Sequence, residues 1–226
     1  MRIVPQGRRV GDGVVPLQNR MTPIGDMEAT AARGLFTGNR GIIHDAASRT
    51  LKTRRWTSRA WLICVLDWRG VRRQVMGPRS WTELFFLDEA VALAAGHRPC
   101  FLCRRAAALA FRDRFPWPHC AAAVQLRARE IDLTLHAQRL DGGRKRLHAL
   151  ASPASSLPDG AMVLQAGSPH LILHGRALPW SHAGYGPPVA ALNGAQLITP
   201  PATVAALRAG YRPTLHASAG RFRFPG

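Results

Sequence analysis

Cys100 and Cys103 form the only C-x-x-C spacing in the chain, held between an alanine-rich run and two arginines in AVALAAGHRPCFLCRR. Two thiols at this spacing present their sulfurs to one side, and a helix beginning beneath them favours the thiolate. The pair therefore reads as half of a zinc site. A thioredoxin-like redox pair would follow a strand, whereas this one follows a helix stop, and plain packing is the remaining alternative. Two further ligands must come from elsewhere. His44, in the glycine-rich turn GNRGIIHD, is the first candidate. Cys64 is the second, although its register with Leu62, Leu66 and Trp68 points to a core position. His97 and the pair His119 and Cys120 are further options, and spacing alone leaves the tetrahedron open.

Other residues could carry catalysis. Asp132 and His136 are four apart and would share one face of a helix, where a carboxylate can orient an imidazole for acid–base work or simply make a surface contact. His44 beside its glycine turn, followed by strands and a metal-carrying helix, loosely resembles the ββα-metal nucleases. That likeness implies a metal-dependent phosphodiester enzyme with His44 as general base. The histidine expected further along the helix is missing.

Charge is the strongest global signal. The 226 residues carry a net charge of +18, with Lys52 and Lys145 the only lysines. A field of that sign attracts polyanions, and arginine forks match phosphate oxygens. The excess is concentrated: Arg49, Lys52, Arg54, Arg55, Arg59, Arg69, Arg72, Arg73 and Arg79 face one acid, Asp67, over a single stretch. Trp56, Trp61, Trp68 and Trp81 are interleaved with them. Basic groups beside aromatic rings suit phosphate neutralisation with base stacking. Trp61 and Trp68 are read as core, and the arginines, with Arg104 and Arg105, as a face that contacts nucleic acid, DNA more than RNA. A zinc-stabilised scaffold whose basic face meets a protein is the other class.

These residues must be positioned by a fold, and the sequence predicts α+β. Residues 1–20 read as a flexible arm, with Met21 as an alternative start. RAWLICVLDW and TELFFL read as strands, with VRRQVM returning as a hairpin partner. Asp88 caps a helix that Gly96 ends, and a second helix starts near Pro99 and runs to the PWP at residues 116–118. A zinc-binding module thus covers 21–115. A long helical segment follows over 116–140, then a linker over 141–160. Residues 161–226 form a small part with strands at AMVLQ, HLILHG and AQLIT and a helix over ATVAALRA. One echo stands out: VALAAGHRPCFLC and VAALRAGYRPTLHAS share an A-G-x-R-P helix stop, and the second copy lacks cysteines.

ELFFLDEAVALAAGHRPCFLCRR, residues 83–105, resembles the second half of the zinc-binding domain of the Ada alkylation-response protein. The resemblance implies a small zinc module, treble-clef-like in its strands plus helix, that binds DNA with Cys100 and Cys103 as ligands. It also implies a role in DNA repair or its regulation. The family's upstream C-x-x-x-C pair is absent, so its methyl transfer does not carry over. A mixed ligand set completed by His44 or Cys64 is the expectation.

Several classes lose support. No P-loop, no G-x-G-x-x-G after a strand, no G-x-S-x-G and no H-E-x-x-H occurs, so no nucleotide cofactor is expected. No run of about 18 apolar residues exists to span a membrane. Four cysteines, only two of them closely spaced, do not make a disulfide framework, and reduced thiols in a cytoplasmic protein are the expectation.

Overall fold

The computed structural model describes residues 8–10, 13–71, 74–78, 80–116, 127–189 and 194–222. Two sheets dominate it. The first is mixed and six-stranded: β3 (Gln18–Met21), β4 (Met27–Ala29), β5 (Phe36–Asn39), β8 (Leu62–Val65), β9 (Leu84–Phe86) and β10 (Arg98–Pro99), in the order β10-β8-β5-β9-β3-β4. The second is antiparallel: β13 (Met162–Gln165), β14 (Ser168–Leu173), β15 (Arg176–Ser181), β16 (Gly184–Tyr185) and β17 (Gln196–Leu197), in the order β16-β15-β14-β13-β17. Three two-stranded ribbons complete the strands: β1 (Arg8–Val10) with β2 (Gly13–Val15), β6 (His44–Asp45) with β7 (Thr50–Leu51), and β11 (Leu140–Asp141) with β12 (Arg144–Lys145).

Four helices join them: α1 (Glu89–Ala94), α2 (Arg105–Asp113), α3 (Ala128–Arg139) and α4 (Pro201–Arg208). Every residue of α1 is buried, and α1 packs against β9 of one sheet and β13 of the other. Its alanines suit this place, because small side chains let a helix lie close to a strand on each side. One hydrophobic cluster runs from Met21 through α1 to Ala219.

The predicted fold, a zinc module followed by a long helix and a small β-rich part, is overturned. The described chain is dominated by strands, and α3 has only 12 residues. Glu130 accepts a hydrogen bond from the Arg127 backbone at 2.9 Å, which sets the start of α3. Its end passes directly into β11, whose hairpin turns on Gly142 and Gly143, both at positive φ. Residues 117–126, the front of the expected long helix, lie outside the described residues.

Three smaller expectations also change. α2 begins at Arg105 rather than near Pro99, because Pro99 is extended in β10 and a turn over Cys100–Arg104 intervenes (Arg104 N–H to Cys100 O, 3.0 Å). No strand forms among the described residues of VRRQVM. There the Met76 amide donates to the Glu83 carboxylate at 2.7 Å instead of to a ladder. Residues 18–20, expected in a flexible arm, lie in β3 inside the sheet, together with Met21, which is core.

The Asp88 cap and the strands at AMVLQ, HLILHG and AQLIT stand as predicted, whereas β15 and β16 were not expected. Asp88 caps α1 by accepting from the Val91 amide at 3.0 Å. The β13–β14 and β14–β15 hairpins turn on Ala166-Gly167 and His174-Gly175, with positive φ at both central residues, as two-residue hairpins of primed type need.

Candidate metal centre and basic face

Cys64 sits in β8, where side chains alternate between faces. Ile63 enters the core, so Leu62 and Cys64 face the other way. β10 runs parallel to β8, with the Arg98 amide bonded to Trp61 O and the Cys100 amide to Ile63 O, both at 3.0 Å. That pairing sets Cys100 alongside Cys64, and the turn after it swings Cys103 back. The three sulfurs lie within 4.8 Å of one another. Tetrahedral zinc with Zn–S of about 2.3 Å wants sulfurs about 3.8 Å apart, so the donor set fits a thiophilic ion with little movement.

The electrostatics of the cluster agree with its chemistry. Hydrogen bonds from Cys103 and Cys64 push the Cys100 thiol down, and the Leu102 amide adds a contact to Cys100 Sγ at 3.4 Å. The same bonds push Cys64 and Cys103 up. Hydrogen bonding within the cluster thus favours the thiolate at Cys100, and a metal would replace the remaining thiol protons. Among the described residues these three cysteines are the whole cluster. The candidates His119 and Cys120 lie outside the described residues.

His44 takes no part in it. Its ring is buried, with Nε2 at 3.1 Å from Gly77 O and Nδ1 at 2.7 Å from Thr82 Oγ1. A carbonyl only accepts, so Nε2 carries the proton and Nδ1 accepts from the Thr82 hydroxyl, which in turn accepts from the Ile43 amide at 2.9 Å. Both nitrogens are used in bracing the core, which leaves neither for a metal nor for a water.

Asp132 and His136 share α3 but do not meet. The Asp132 carboxylate takes a bidentate pair from Arg98, both bonds at 2.8 Å and buried. His136 Nδ1 accepts from Arg139 Nη2 at 2.8 Å, and the ring lies edge-on to Trp56. Burial, followed by the Arg139 and Arg59 charges, holds His136 below its ordinary value.

Part of the basic stretch lies on the surface. Lys52, Arg54, Arg55, Arg59, Arg69 and Arg105 are exposed, and Arg49 is half-buried. Arg72, Arg73 and Arg79 lie outside the described residues. Arg104 is not on the surface set: it is clamped on Glu89 by bonds of 2.8 and 2.9 Å, with its guanidinium over the Phe36 ring. Trp61 is core, as read, whereas Trp68 is half-buried beside a smaller cluster and lies under Arg69.

Sequence reasoning missed the buried cations. Arg40 and Arg139 each hold a guanidinium 3.7 Å from the Trp61 ring, and both are almost fully buried. Nothing in the sequence distinguishes them from surface arginines, since most of their acceptors, Gly25 O and His97 for Arg40 and Gly96 O and Arg59 O for Arg139, lie far along the chain. No described helix is long and apolar enough to cross a membrane. Comparison with known protein families, curated proteins and solved structures finds no match to this chain.

Proposed function

We propose that the chain is a zinc-containing protein that binds nucleic acid, DNA first, with Cys64, Cys100 and Cys103 holding the ion. Zinc in this place would tie β8 to the turn before α2 and supply folding energy rather than chemistry. A role in DNA repair or its regulation rests on the Ada resemblance of residues 83–105 alone.

The observation that carries the reading is the loop over residues 52–59. Lys52, Arg54, Arg55 and Arg59 are exposed around a half-buried Trp56. Among the described residues, none of the four has a carboxylate within salt-bridge distance. Asp45 feels the Lys52 charge without pairing with it, and the buried Glu83, Glu89 and Asp132 are engaged with other partners. A surface left with free cations beside an aromatic ring suits phosphate contacts with stacking. No observation favours a nuclease through His44, whose nitrogens are both spent.

Duplex binding measured against salt tests the surface. Each phosphate contact contributes about 0.9 to the slope of log K against log salt, so Lys52→Ala, Arg54→Ala and Arg59→Ala together should flatten it by about 2 to 3. Absence of binding at low salt would overturn the reading. Metal analysis tests the ion: one zinc per chain is expected, lost in Cys64→Ser, Cys100→Ser and Cys103→Ser and kept in His44→Ala.

A further inference from the structure

A cavity of about 600 Å³ opens at the C-terminal end of α1. Arg40, Arg55, Arg139, Arg144 and Lys145 line it, against a single carboxylate, the exposed Asp26. Trp56 and Trp61 add an aromatic wall.

Two of these cations have a structural task. Arg139 donates to Gly96 O and to Arg59 O, both at 2.9 Å, and Lys145 donates to Ala94 O. The Gly96 and Ala94 carbonyls lie at the end of α1, where the helix dipole welcomes positive charge. Arg40 has no such account. Its Nε lies 3.3 Å from His97 Nε2 and its Nη1 3.2 Å from Gly25 O, both neutral acceptors at the long end of hydrogen-bond range. Its Nη2 is buried and has no partner, and Arg139 Nε is in the same position. Arg40 is only 3% exposed. Burial, with the Arg139 and Arg55 charges, pushes its guanidinium well below the ordinary value, and Asp26 opposes them. A buried cation among like charges, with a donor left over, is a costly arrangement unless an anion completes it.

The shape narrows that anion. The cavity is far larger than an inorganic ion and falls within the range of small-molecule sites, about 300–1,000 Å³. Arg40 and Arg139 already cover the Trp61 ring. Trp56 is the half-buried ring on the wall, and it also lines the groove over residues 53–59 together with Arg55. We infer that the cavity binds one nucleotide, its phosphate among Arg40, Arg55, Arg139 and Lys145 and its base against Trp56. A free mononucleotide and the 5′-phosphorylated end of a strand present the same chemistry. This inference takes the identity of its ligand from the nucleic-acid reading; the site shares Arg55 and Trp56 with the outer face, while Arg40, Arg139 and Lys145 belong to the cavity alone.

Tryptophan fluorescence titration of the full chain tests it, with adenosine monophosphate, adenosine and inorganic phosphate as probes. Adenosine monophosphate should bind at least about tenfold more tightly than adenosine, since charge-assisted contacts carry the phosphate. Arg55→Gln and Arg40→Gln should each weaken it about tenfold, and Trp56→Leu should weaken the nucleotide more than inorganic phosphate. Arg55 is exposed, so its variant keeps the test valid if Arg40→Gln fails to fold. Short strands with and without a 5′-phosphate separate the sources: a preference for the phosphorylated end that Arg55→Gln removes assigns the strand end. Equal affinity for adenosine and its monophosphate, or no binding of the mononucleotide or of the phosphorylated end, overturns the inference. Closed circular DNA, which has no ends, reads the outer face separately. If it binds while every nucleotide probe fails, the cavity inference falls and the surface reading stands; the reverse result leaves a nucleotide site without a nucleic-acid surface.

Discussion

The two A-G-x-R-P segments share a backbone and differ in everything that touches it. After α1, the Gly96 amide bonds to Leu93 O and the His97 amide to Ala92 O; after α4, the Gly210 amide bonds to Leu207 O and the Tyr211 amide to Ala206 O. Both are Schellman stops, with glycine at φ +88° and +98°. Both place the next ring in the core. Beyond that point they diverge. The first copy runs into β10 and delivers Cys100 and Cys103 to Cys64. In the second, Thr214 stands where Cys100 would, and the segment folds back onto the start of α1. There the Thr214 amide donates to Glu89 at 2.9 Å and the His216 amide to Asp88 at 3.0 Å. The arginines diverge too: Arg98 is buried on Asp132, while Arg212 is exposed and donates to Leu207 O and Tyr211 O. A local code for stopping a helix says nothing about what the freed chain will do next.

The copies nevertheless meet at Glu89. Its carboxylate takes Arg104 from the segment after Cys103 and, from the second copy, the Tyr211 hydroxyl at 2.6 Å and the Thr214 amide. Glu89→Ala would leave a buried guanidinium, a hydroxyl and an amide without an acceptor, so the largest effect is expected here. Breaking one partner of a buried ion pair costs about 3–5 kcal/mol, against about 1 or less for an exposed pair such as Arg112–Asp113. Denaturant unfolding of Glu89→Ala and Asp113→Ala makes the comparison, and equal costs would dissolve the hub that links the two stops.

The stops themselves can be set against each other through their glycines. A Cβ at Gly210 meets only Arg114 Nε, at 3.6 Å, so Gly210→Ala bears the left-handed backbone cost alone, about 1–2 kcal/mol. A Cβ at Gly96 would stand 2.6 Å from Arg139 Cδ and 2.8 Å from its Cβ. Gly96→Ala therefore adds an overpacking cost of about 1–3 kcal/mol and disturbs the cavity wall as well. If the two variants unfold at the same denaturant concentration, the Arg139 contact is not tight, and the first stop has no more to do than the second.

How much of this was readable in the sequence follows the same division. The Asp88 cap and the Gly96 and Gly210 stops are local chemistry, and they appear where expected. Cys100 and Cys103 were legible as half a site for the same reason. Cys64 was named only as second choice behind His44, because β10 is two residues long and carries no period; only its pairing with β8 brings Cys64 into reach. The long helix failed because a charged, alanine-rich stretch looks helical throughout, while the Arg127–Glu130 contact starts the helix late. Burial of Arg40, Arg98, Arg104 and Arg139 depends on acceptors 15 or more residues away, so a count of basic residues overstates the outer face and conceals the cavity.

The rings at the two stops give the smallest effect, with opposite signs. Burial, and then the Arg40 and Arg139 charges, hold His97 well below its ordinary value. The unfolded chain therefore binds a proton below pH about 6.5 that the folded chain refuses, and stability falls with acid by up to about 1.4 kcal/mol per pH unit from this ring. Tyr211 is pushed the other way, by burial and by Glu89. Above pH about 10 the unfolded chain loses a proton that the folded chain keeps, so stability falls as pH rises, with the same limiting slope. The only other tyrosine, Tyr185, is also raised by burial and by its bond to Asp88, and it titrates in the same window. Tyr211→Phe should then remove about half of the tyrosine-dependent alkaline loss and leave the acid limb as it was. Unfolding free energies of the two proteins from pH 5 to 11 decide it: an unchanged slope above pH 10 would mean that Tyr211 keeps no proton on Glu89, and that the second stop is anchored to α1 by its backbone alone.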